Sequence, residues 1–351
     1  MDRFDIATEV LPSSRPGQVN AIKQFRTRQA CLATPPKGVG LTLLFAHATG
    51  FHKELWEPII ARLPLESSSM EEAPAAAKTQ AVVPILSEYP WTAALPTAVP
   101  WHIEQIVTFD IWNHGDSAVA NQGTLTDDES VFRGSEDCSV LLAQLQITTP
   151  LIGVGHSMGG TVLMMLETMR PGTFTTILSI DPAIYFSQRT LGRLAHQASK
   201  RRSAWPSWQA ASQYFNSNPF YDHWHPEVRD LHVRYGLTTA SDGASVQLKC
   251  SPTQEALLYA CAGPGSRWTI EHLHEVRCPV RFMLAEKSFL CPQPHFVRDV
   301  VKACRLVDAV QVKSVGHFIP MEAPLTVTQQ VAQFVHQSLS LGPVLAPRPR
   351  L

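Results

Sequence analysis

The sequence predicts an α/β fold on a mostly parallel, doubly wound sheet, and two observations carry this prediction. Stretches with helical patterning alternate with short apolar runs, which favours helices on both faces of one sheet; they include residues 136–145, 161–169 and 326–339. The apolar runs lack polar alternation, as is typical of strands that a parallel sheet buries on both faces. They are residues 42–46, 106–109, 151–154, 176–180, 280–284 and 310–312.

The composition is that of a globular protein. The chain has 351 residues, of which 44% are hydrophobic and 17% charged, so a single domain with insertions can bury a sizeable core. The formal net charge of −1 offers no basic surplus for nucleic acid. No apolar run reaches the length of a membrane span, so we expect no transmembrane helix.

The cysteines argue against disulfides and metal. Seven are scattered along the chain without a Cys-x-x-Cys pair. An odd, dispersed set indicates neither a disulfide framework nor a zinc site, and it favours a reducing compartment. No dinucleotide fingerprint appears either, so we expect no metal and no cofactor.

The pattern along the chain predicts a core in two parts. Residues 1–184 form the first part, with a surface excursion at 64–100 that is rich in Ala, Ser, Pro and Glu. Residues 185–273 form an insertion rich in aromatic side chains, which we interpret as a helical cap over the site; an ordinary subdomain with its own aromatic core is the alternative. Residues 274–340 complete the core, and 341–351 form a flexible tail.

The motif Gly155-His156-Ser157-Met158-Gly159 carries the first chemical prediction. It matches Gly-x-Ser-x-Gly, follows an apolar run and precedes a helical stretch. A serine on such a strand-to-helix turn projects its hydroxyl into the open, and the small neighbours let the backbone pass without clashes. The context therefore predicts that Ser157 is a nucleophile.

A serine hydroxyl is a poor nucleophile at neutral pH and needs a base. Gly316-His317 follows the last predicted strand, where Gly316 lets the loop turn before the final helix. We predict that His317 is this base. The other thirteen histidines lack this position.

Four blocks of the sequence resemble the α/β-hydrolase superfamily: residues 45–50, 109–117, 155–160 and 316–317. Within it, residues 47–58 are similar to a fungal group of peroxisomal hydrolases. That group includes the acyl-CoA hydrolase of mycophenolic acid biosynthesis and hydrolases of host-selective-toxin pathways. The resemblance implies an α/β-hydrolase fold and a Ser-acid-His triad.

The acid of the triad has two candidates. Many members of the superfamily carry an aspartate where Ser288 stands here, and serine cannot serve. The resemblance to the fungal group implies Asp181 instead, at the end of the strand that follows the nucleophile helix. Glu286 is the alternative, in which case Asp181 caps a turn. Asp110 precedes the nucleophile and is expected to brace loops.

The negative oxygen of a tetrahedral intermediate needs backbone donors. One is expected to be the amide of Met158. The other lies in the loop after the first buried strand, at Ala48 or Thr49, and alignment with the family pattern favours Thr49. His47 is expected to brace this loop.

Ser157 implies acyl transfer to water through an acyl-enzyme. We expect a hydrolase of esters or thioesters, and the resemblance implies acyl-CoA thioesters of a secondary metabolite or of a medium to long acyl chain. One alternative is a carboxylesterase or lipase without coenzyme A specificity; another is a non-catalytic ligand-binding homologue. The run Lys200-Arg201-Arg202 is a candidate contact for the phosphates of coenzyme A.

The C-terminus Pro349-Arg350-Leu351 resembles the peroxisomal signal Ser-Lys-Leu. It predicts a peroxisomal import receptor as a partner and the peroxisome as the location, with the cytoplasm as the alternative.

Overall fold

The computed structural model describes residues 1–34, 36–70, 79–87, 99–126, 131–185, 187–292 and 294–339. Its strands are β1 (Phe4–Pro12), β2 (Val19–Thr27), β3 (Val39–Ala46), β4 (Val82–Ser87), β5 (Trp101–Phe109), β6 (Leu151–His156), β7 (Thr176–Ile180), β8 (Ala204–Trp205), β9 (Leu237–Thr239), β10 (Val246–Leu248), β11 (Val280–Ala285) and β12 (Val307–Val312). Within the described residues, nine strands form one sheet in the order β1-β2-β5-β3-β6-β7-β11-β12-β4. The six strands from β5 to β12 in this order run parallel, while β1, β2 and β4 are antiparallel to their neighbours. The predicted mostly parallel sheet is confirmed.

Helices cover both faces of the sheet. They are α1 (Glu57–Ile60), α2 (Gly115–Ala120), α3 (Val131–Leu145), α4 (Met158–Met169), α5 (Gln188–Lys200), α6 (Trp208–Ser217), α7 (Pro226–Tyr235), α8 (Pro252–His272), α9 (His295–Asp299), α10 (Ile319–Glu322) and α11 (Pro324–Leu339). In β3, Leu44 and Ala46 pack in the core that contains α3 and α4, whereas Leu43 and Phe45 pack in the core that contains α1 and α11. Successive side chains of a strand point to opposite faces, so a continuous apolar run supplies both cores.

An N-terminal hairpin extends the sheet beyond the predicted strands. β2 pairs with β5, and β1 covers β2 at the edge. Most residues of β1 are exposed. The apolar runs that predict buried strands are therefore absent from β1, and the sequence analysis missed it.

The stretch 64–100 contains a strand of the sheet. β4 pairs antiparallel with β12 at the other edge, so residues 82–87 belong to the sheet rather than to a surface excursion. Pro84 lies in this strand, and an edge tolerates proline because one side of the strand has no partner to which an amide must donate. Residues 71–78 and 88–98 lie outside the described residues.

The insertion between β7 and β11 contains α5 to α8 and a small sheet in the order β8-β10-β9. Several of its aromatic side chains form a separate core, which also includes Phe51 and Leu55 from the segment after β3. The insertion thus packs against the core domain next to the loop predicted to hold the oxyanion. Its interpretation as a cap that shapes the substrate pocket stays a prediction.

Among the described residues, no helix combines the length and the apolar character needed to cross a membrane. The predicted tail, residues 341–351, lies outside the described residues.

Candidate active site

Ser157 lies on a sharp turn between β6 and α4. Its backbone has φ 54° and ψ −118°, a combination that is costly for a residue with a side chain. Two glycines allow the turn. A Cβ on Gly155 would lie 2.6 Å from the carbonyl carbon of Gly159, and a Cβ on Gly159 would lie 2.2 Å from the carbonyl oxygen of Ala46. The start of α4 is therefore pressed against the end of β3.

His317 lies in the loop between β12 and α10 and faces Ser157. Its Nε2 is 3.0 Å from the Ser157 hydroxyl oxygen, and its Nδ1 is 2.7 Å from Oδ2 of Asp181. Because a carboxylate only accepts, Nδ1 carries the proton and donates, and Nε2 accepts from the serine. Ser157, His317 and Asp181, which the sequence singled out, lie in one hydrogen-bonded chain, with exposed fractions of 5%, 5% and 0%.

Asp181 follows the last residue of β7 and has a positive φ of 40°. The turn is tied to the nucleophile, since the Ser157 amide donates to the carbonyl of Ile180 and the Ala183 amide donates to the carbonyl of Ser157. The Ala285 amide donates to Oδ1 of Asp181 at 3.0 Å. The carboxylate is thus aimed at His317 by backbone contacts.

The alternative acid is turned away from His317. Glu286 accepts hydrogen bonds from Lys313 Nζ and the Ser314 amide, both at 2.9 Å. Both contacts lower the pKa of Glu286, the bond from Ser314 more than the bond from Lys313. No described residue of the triad contacts its carboxylate, so the geometry favours Asp181.

Ser288 is a site residue that the sequence analysis passed over. Its hydroxyl donates to Oδ2 of Asp181 at 2.6 Å and accepts from the amides of Leu290 and Cys291. Phe289, the next residue, packs edge-to-face against His317, with the ring centroids 5.2 Å apart. The signal was its alignment with the usual acid, which already placed Ser288 close to the histidine.

His156 is a second residue that sequence reasoning missed. Its Nε2–H donates to the carbonyl oxygen of His317 at 2.9 Å, and the two rings lie 5.0 Å apart. Burial lowers the pKa of His156 well below its ordinary value, so the ring stays neutral. The residue before Ser157 therefore holds the loop that carries His317.

Two neutral histidines hold the loop after β3. The Gly50 amide donates to Nε2 of His114 at 2.7 Å, and the Ile111 amide donates to Nε2 of His47 at 3.2 Å. Burial lowers the pKa of His47 to about 4 and that of His114 well below its ordinary value. Both rings therefore remain acceptors at neutral pH.

The predicted oxyanion donors lie on two segments that are in close contact. A Cβ on Gly159, the residue after Met158, would lie 2.2 Å from the carbonyl oxygen of Ala46, at the start of the loop that carries Ala48 and Thr49. Among the described residues, none accepts a hydrogen bond from the amides of Met158, Ala48 or Thr49. Met158 is the first residue of α4, whose N-terminal amides point out of the helix. The choice between Ala48 and Thr49 stays open.

A buried lysine links this loop to two other segments. Lys53 Nζ contacts carboxylate oxygens of Asp110, Asp116 and Glu54 at 2.7, 2.5 and 2.9 Å. Burial alone would lower the pKa of Lys53, but these carboxylates more than offset it and raise the pKa. Asp116 also pairs with Lys249 of the insertion. Asp110, as expected, braces loops.

The sequence profile of the alpha/beta hydrolase family matches residues 43–330, which is most of the chain. The chain belongs to the alpha/beta hydrolase family. Its fold is also that of a solved relative, the peroxisomal alpha-beta-hydrolase Lpx1 of Saccharomyces cerevisiae. The TM-score is 0.79 at 18% identity, over 100% of this chain and 94% of the other.

Curated relatives of this hydrolase include thioesterases. The type I acyl-CoA thioesterase mpaH of Penicillium roqueforti is 27% identical over 57% of this chain and 41% of its own length. The peroxisomal membrane protein LPX1 of Saccharomyces cerevisiae is 22% identical over 98% of this chain and 83% of its own. This chain spans less than half the length of the thioesterase relatives it matches.

The hydrolase has a cavity of about 620 Å³ at Ser157 and His317. The loop after β3 and the insertion form its walls, together with segments that follow β11 and β12. Aromatic side chains dominate the lining and give it a largely apolar surface. They are Phe51, Tyr214, Phe220, Tyr221, Tyr259, Phe289 and Phe318.

Only part of the basic run at the end of α5 lines the cavity. Arg201 and Arg202 line it, whereas Lys200 is exposed and does not. Arg193, which lies on α5 eight residues before Arg201, also lines the cavity. Among the described residues, no three His, Cys, Asp or Glu side chains are placed to share a metal ion.

Proposed function

We propose that this hydrolase cleaves a thioester or an ester through an acyl-enzyme formed on Ser157. The observation that carries the proposal is the hydrogen-bonded chain from Ser157 through His317 to Asp181, at 3.0 and 2.7 Å. Nucleophile and base lie within hydrogen-bond reach, and a third group orients the base, as nucleophilic catalysis requires.

In the first half-reaction, Oγ of Ser157 attacks the carbonyl carbon while Nε2 of His317 takes the serine proton. The carbonyl oxygen becomes negative and receives hydrogen bonds from the Met158 amide and the Thr49 or Ala48 amide. The tetrahedral intermediate collapses, and His317 gives its proton to the departing thiolate or alkoxide. An acyl ester on Ser157 remains.

In the second half-reaction, water attacks the acyl-enzyme and His317 takes a proton from it. The second intermediate releases the carboxylic acid when His317 returns that proton to Oγ of Ser157. Asp181 stays ionised throughout, holds Nδ1–H in place and stabilises the imidazolium that forms twice.

The substrate that we propose is an acyl-CoA thioester of a secondary metabolite or of a medium to long acyl chain. The names of the thioesterase relatives support this class. The cavity of about 620 Å³, with its aromatic walls, suits an apolar acyl group. The alternative is a carboxylesterase or lipase without coenzyme A specificity.

The test compares the purified chain with Ser157→Ala on acyl-CoAs of graded length and on p-nitrophenyl esters. A fluorophosphonate probe reports serine labelling independently of the substrate. We expect Ser157→Ala to lower kcat/KM by roughly 10⁴-fold or more and to abolish labelling. Ser199→Ala is the matched control, since Ser199 is exposed on α5 and does not line the cavity.

Each alternative has its own outcome. Turnover of esters without acyl-CoA turnover would identify an esterase. A chain that turns over neither class and takes up no probe would be a ligand-binding homologue. Unchanged activity in Ser157→Ala would refute the nucleophile.

We also propose that the hydrolase is imported into peroxisomes through Pro349-Arg350-Leu351, which lies outside the described residues. The relative LPX1 supports the location, since its name calls it peroxisomal. A fluorescent protein fused to the N-terminus leaves the tail free. Punctate signal that colocalises with a peroxisomal marker and becomes diffuse on deletion of Leu351 is expected. Diffuse signal with the intact tail would favour the cytoplasm.

A further inference from the structure

One face of α5 and the residue after it form a polar wall of the cavity. Arg193 and Gln197 lie four residues apart and share a helix face, which also carries Leu194. Arg201 directly follows the helix and lines the same cavity, as does Ala198. Arg202, the next residue, lines the same cavity.

The charges of this cavity do not cancel. Among the described residues that line it, three are arginines and Glu255 is the one carboxylate. Arg201 Nη1 lies 2.5 Å from Oε2 of Glu255. Burial alone would lower the pKa of Arg201, but the charge of Glu255 more than offsets it, so this pair is a buried and internally neutral unit.

Arg193 and Arg202 carry the surplus charge. Neither has a carboxylate partner among the described residues. Arg202 is nevertheless held in place, since its Nε donates to the carbonyl of Ala204 at 3.1 Å and its guanidinium lies 5.6 and 5.4 Å from the rings of Trp205 and Tyr214. A guanidinium fixed in this way is ready to bind an anion at little entropic cost.

The polar wall adjoins the loop after β3, where Ala48 or Thr49 is the proposed oxyanion donor. A Cβ on Gly50 would lie 3.2 Å from Nη1 of Arg201, so Arg201 adjoins the segment that carries Thr49. Arg193 lies eight residues earlier on α5, which is about 12 Å along a helix axis, and it is exposed. The arginines therefore line the cavity from the segment beside Thr49 to an exposed position of α5.

We propose that Arg193 and Arg202 bind an anionic part of the substrate that lies away from the scissile carbonyl. The inference rests on the proposed function for the position of that carbonyl. Two sources supply such a group: the phosphates of a coenzyme A leaving group, or a carboxylate at the far end of the acyl chain. Lys200, which is outside the cavity, takes no part.

The test measures binding by calorimetry in the Ser157→Ala background, where no turnover occurs. Two ligand pairs are compared: octanoyl-CoA against octanoyl-pantetheine, which lacks the whole 3′-phospho-ADP unit, and the monoethyl against the diethyl ester of octanedioic acid, in which the second ethyl group removes the carboxylate charge. The variant Arg193→Gln/Arg202→Gln removes the surplus charge. Lys200→Gln removes one charge from the end of the same helix and is the matched control.

We expect the double variant to raise Kd about tenfold for the anionic member of one pair and less than twofold for its neutral partner. Lys200→Gln is expected to leave both unchanged. A selective rise in Kd for octanoyl-CoA would identify the phosphates as the group that the arginines bind. A selective rise in Kd for the monoethyl ester would identify the carboxylate.

Equal changes for both members of both pairs, or no change at all, would overturn the proposal. Thermal unfolding of the double variant checks that it is folded. Failure of the proposed function is recognised separately, because it appears as absent turnover in the unmodified chain, while selective binding remains measurable.

Discussion

Ser288 donates its hydroxyl proton to Oδ2 of Asp181 at 2.6 Å, and the same oxygen accepts from Nδ1 of His317 at 2.7 Å. The residue at the usual position of the acid thus contacts the carboxylate that we propose in its place. The two positions meet because β7 and β11 are parallel neighbours whose carboxyl ends lie at one edge of the sheet. Asp181 follows the first strand and Ser288 follows the second.

Asp181→Asn is expected to lower kcat about 10⁴-fold, because an amide no longer fixes the required tautomer of His317. Glu286→Gln is the matched control and is expected to change kcat less than twofold, since Glu286 contacts Lys313 and Ser314 instead of His317. Steady-state kinetics on the best substrate measures kcat for both variants. The reverse ranking would transfer the role to Glu286.

Ser288→Ala is expected to lower kcat about tenfold with KM nearly unchanged. The variant removes one charge-assisted hydrogen bond, worth about 1.5–3 kcal/mol when fully expressed, from the carboxylate that orients His317. Ser288→Thr keeps the hydroxyl and is expected to recover most of the rate. If Ala and Thr behave alike, the contact has no role in positioning Asp181.

The same contact predicts a relocated acid. In Asp181→Asn/Ser288→Asp, the new carboxylate starts from a position whose Oγ lies 2.6 Å from the original acceptor oxygen. We expect this double variant to be at least tenfold more active than Asp181→Asn alone. Ser288→Asn in the same background supplies the uncharged control. Equal rates for the two double variants would show that position 288 cannot reach His317.

Gly159→Ala is expected to destabilise the fold by several kcal/mol, since its Cβ would lie 2.2 Å from the backbone oxygen of Ala46 and neither backbone can move freely. Gly192→Ala is the matched control. Gly192 is an exposed residue of α5, and an added Cβ there meets nothing within 4 Å. It is expected to stabilise by about 0.5–1 kcal/mol. Urea unfolding measures both, and a tolerated Gly159→Ala would refute the close approach.

Buried histidines predict a loss of stability in acid. Burial lowers the pKa of His47 to about 4 and the pKa values of His114, His156 and His232 well below the ordinary value. Between about pH 6.5 and the folded pKa, the unfolded chain binds protons that the folded chain does not, so the free energy of unfolding falls as pH falls. Each histidine contributes about 1.4 kcal/mol per pH unit in that window.

His232 isolates one of these contributions. Among the described residues, neither of its ring nitrogens has a hydrogen-bond partner, and Phe51, Phe215 and Trp224 surround it. Between pH 6.5 and 5, His232→Phe is expected to reduce the slope of unfolding free energy against pH by about 1.4 kcal/mol per pH unit, which is the contribution of one proton. His274→Gln, on an exposed side chain, is expected to leave it unchanged. Identical slopes for the two variants would contradict a buried neutral His232.

The local pattern was enough to predict the strands of the parallel core and the sharp turn that carries Ser157. Apolar runs and helical periodicity report burial on each face, and each of these signals lies within one element. Gly155, Ser157 and Gly159 predict a strained turn from neighbouring residues alone. The hairpin was missed for two reasons: β1 is an exposed edge strand without an apolar run, and in the more buried β2 polar residues interrupt the apolar ones.

Contacts between distant segments were decided by the tertiary structure alone. Asp181 and Glu286 were both candidates in the sequence. The last amide of β11 binds the carboxylate of Asp181, which contacts His317, whereas the loop after β12 binds that of Glu286. The support that Ser288 and His156 give to the triad, and the separation of Arg201 and Arg202 from Lys200 at the cavity, depend on which segments pack side by side. No local pattern encodes that, because these partners lie up to 161 residues apart in the chain.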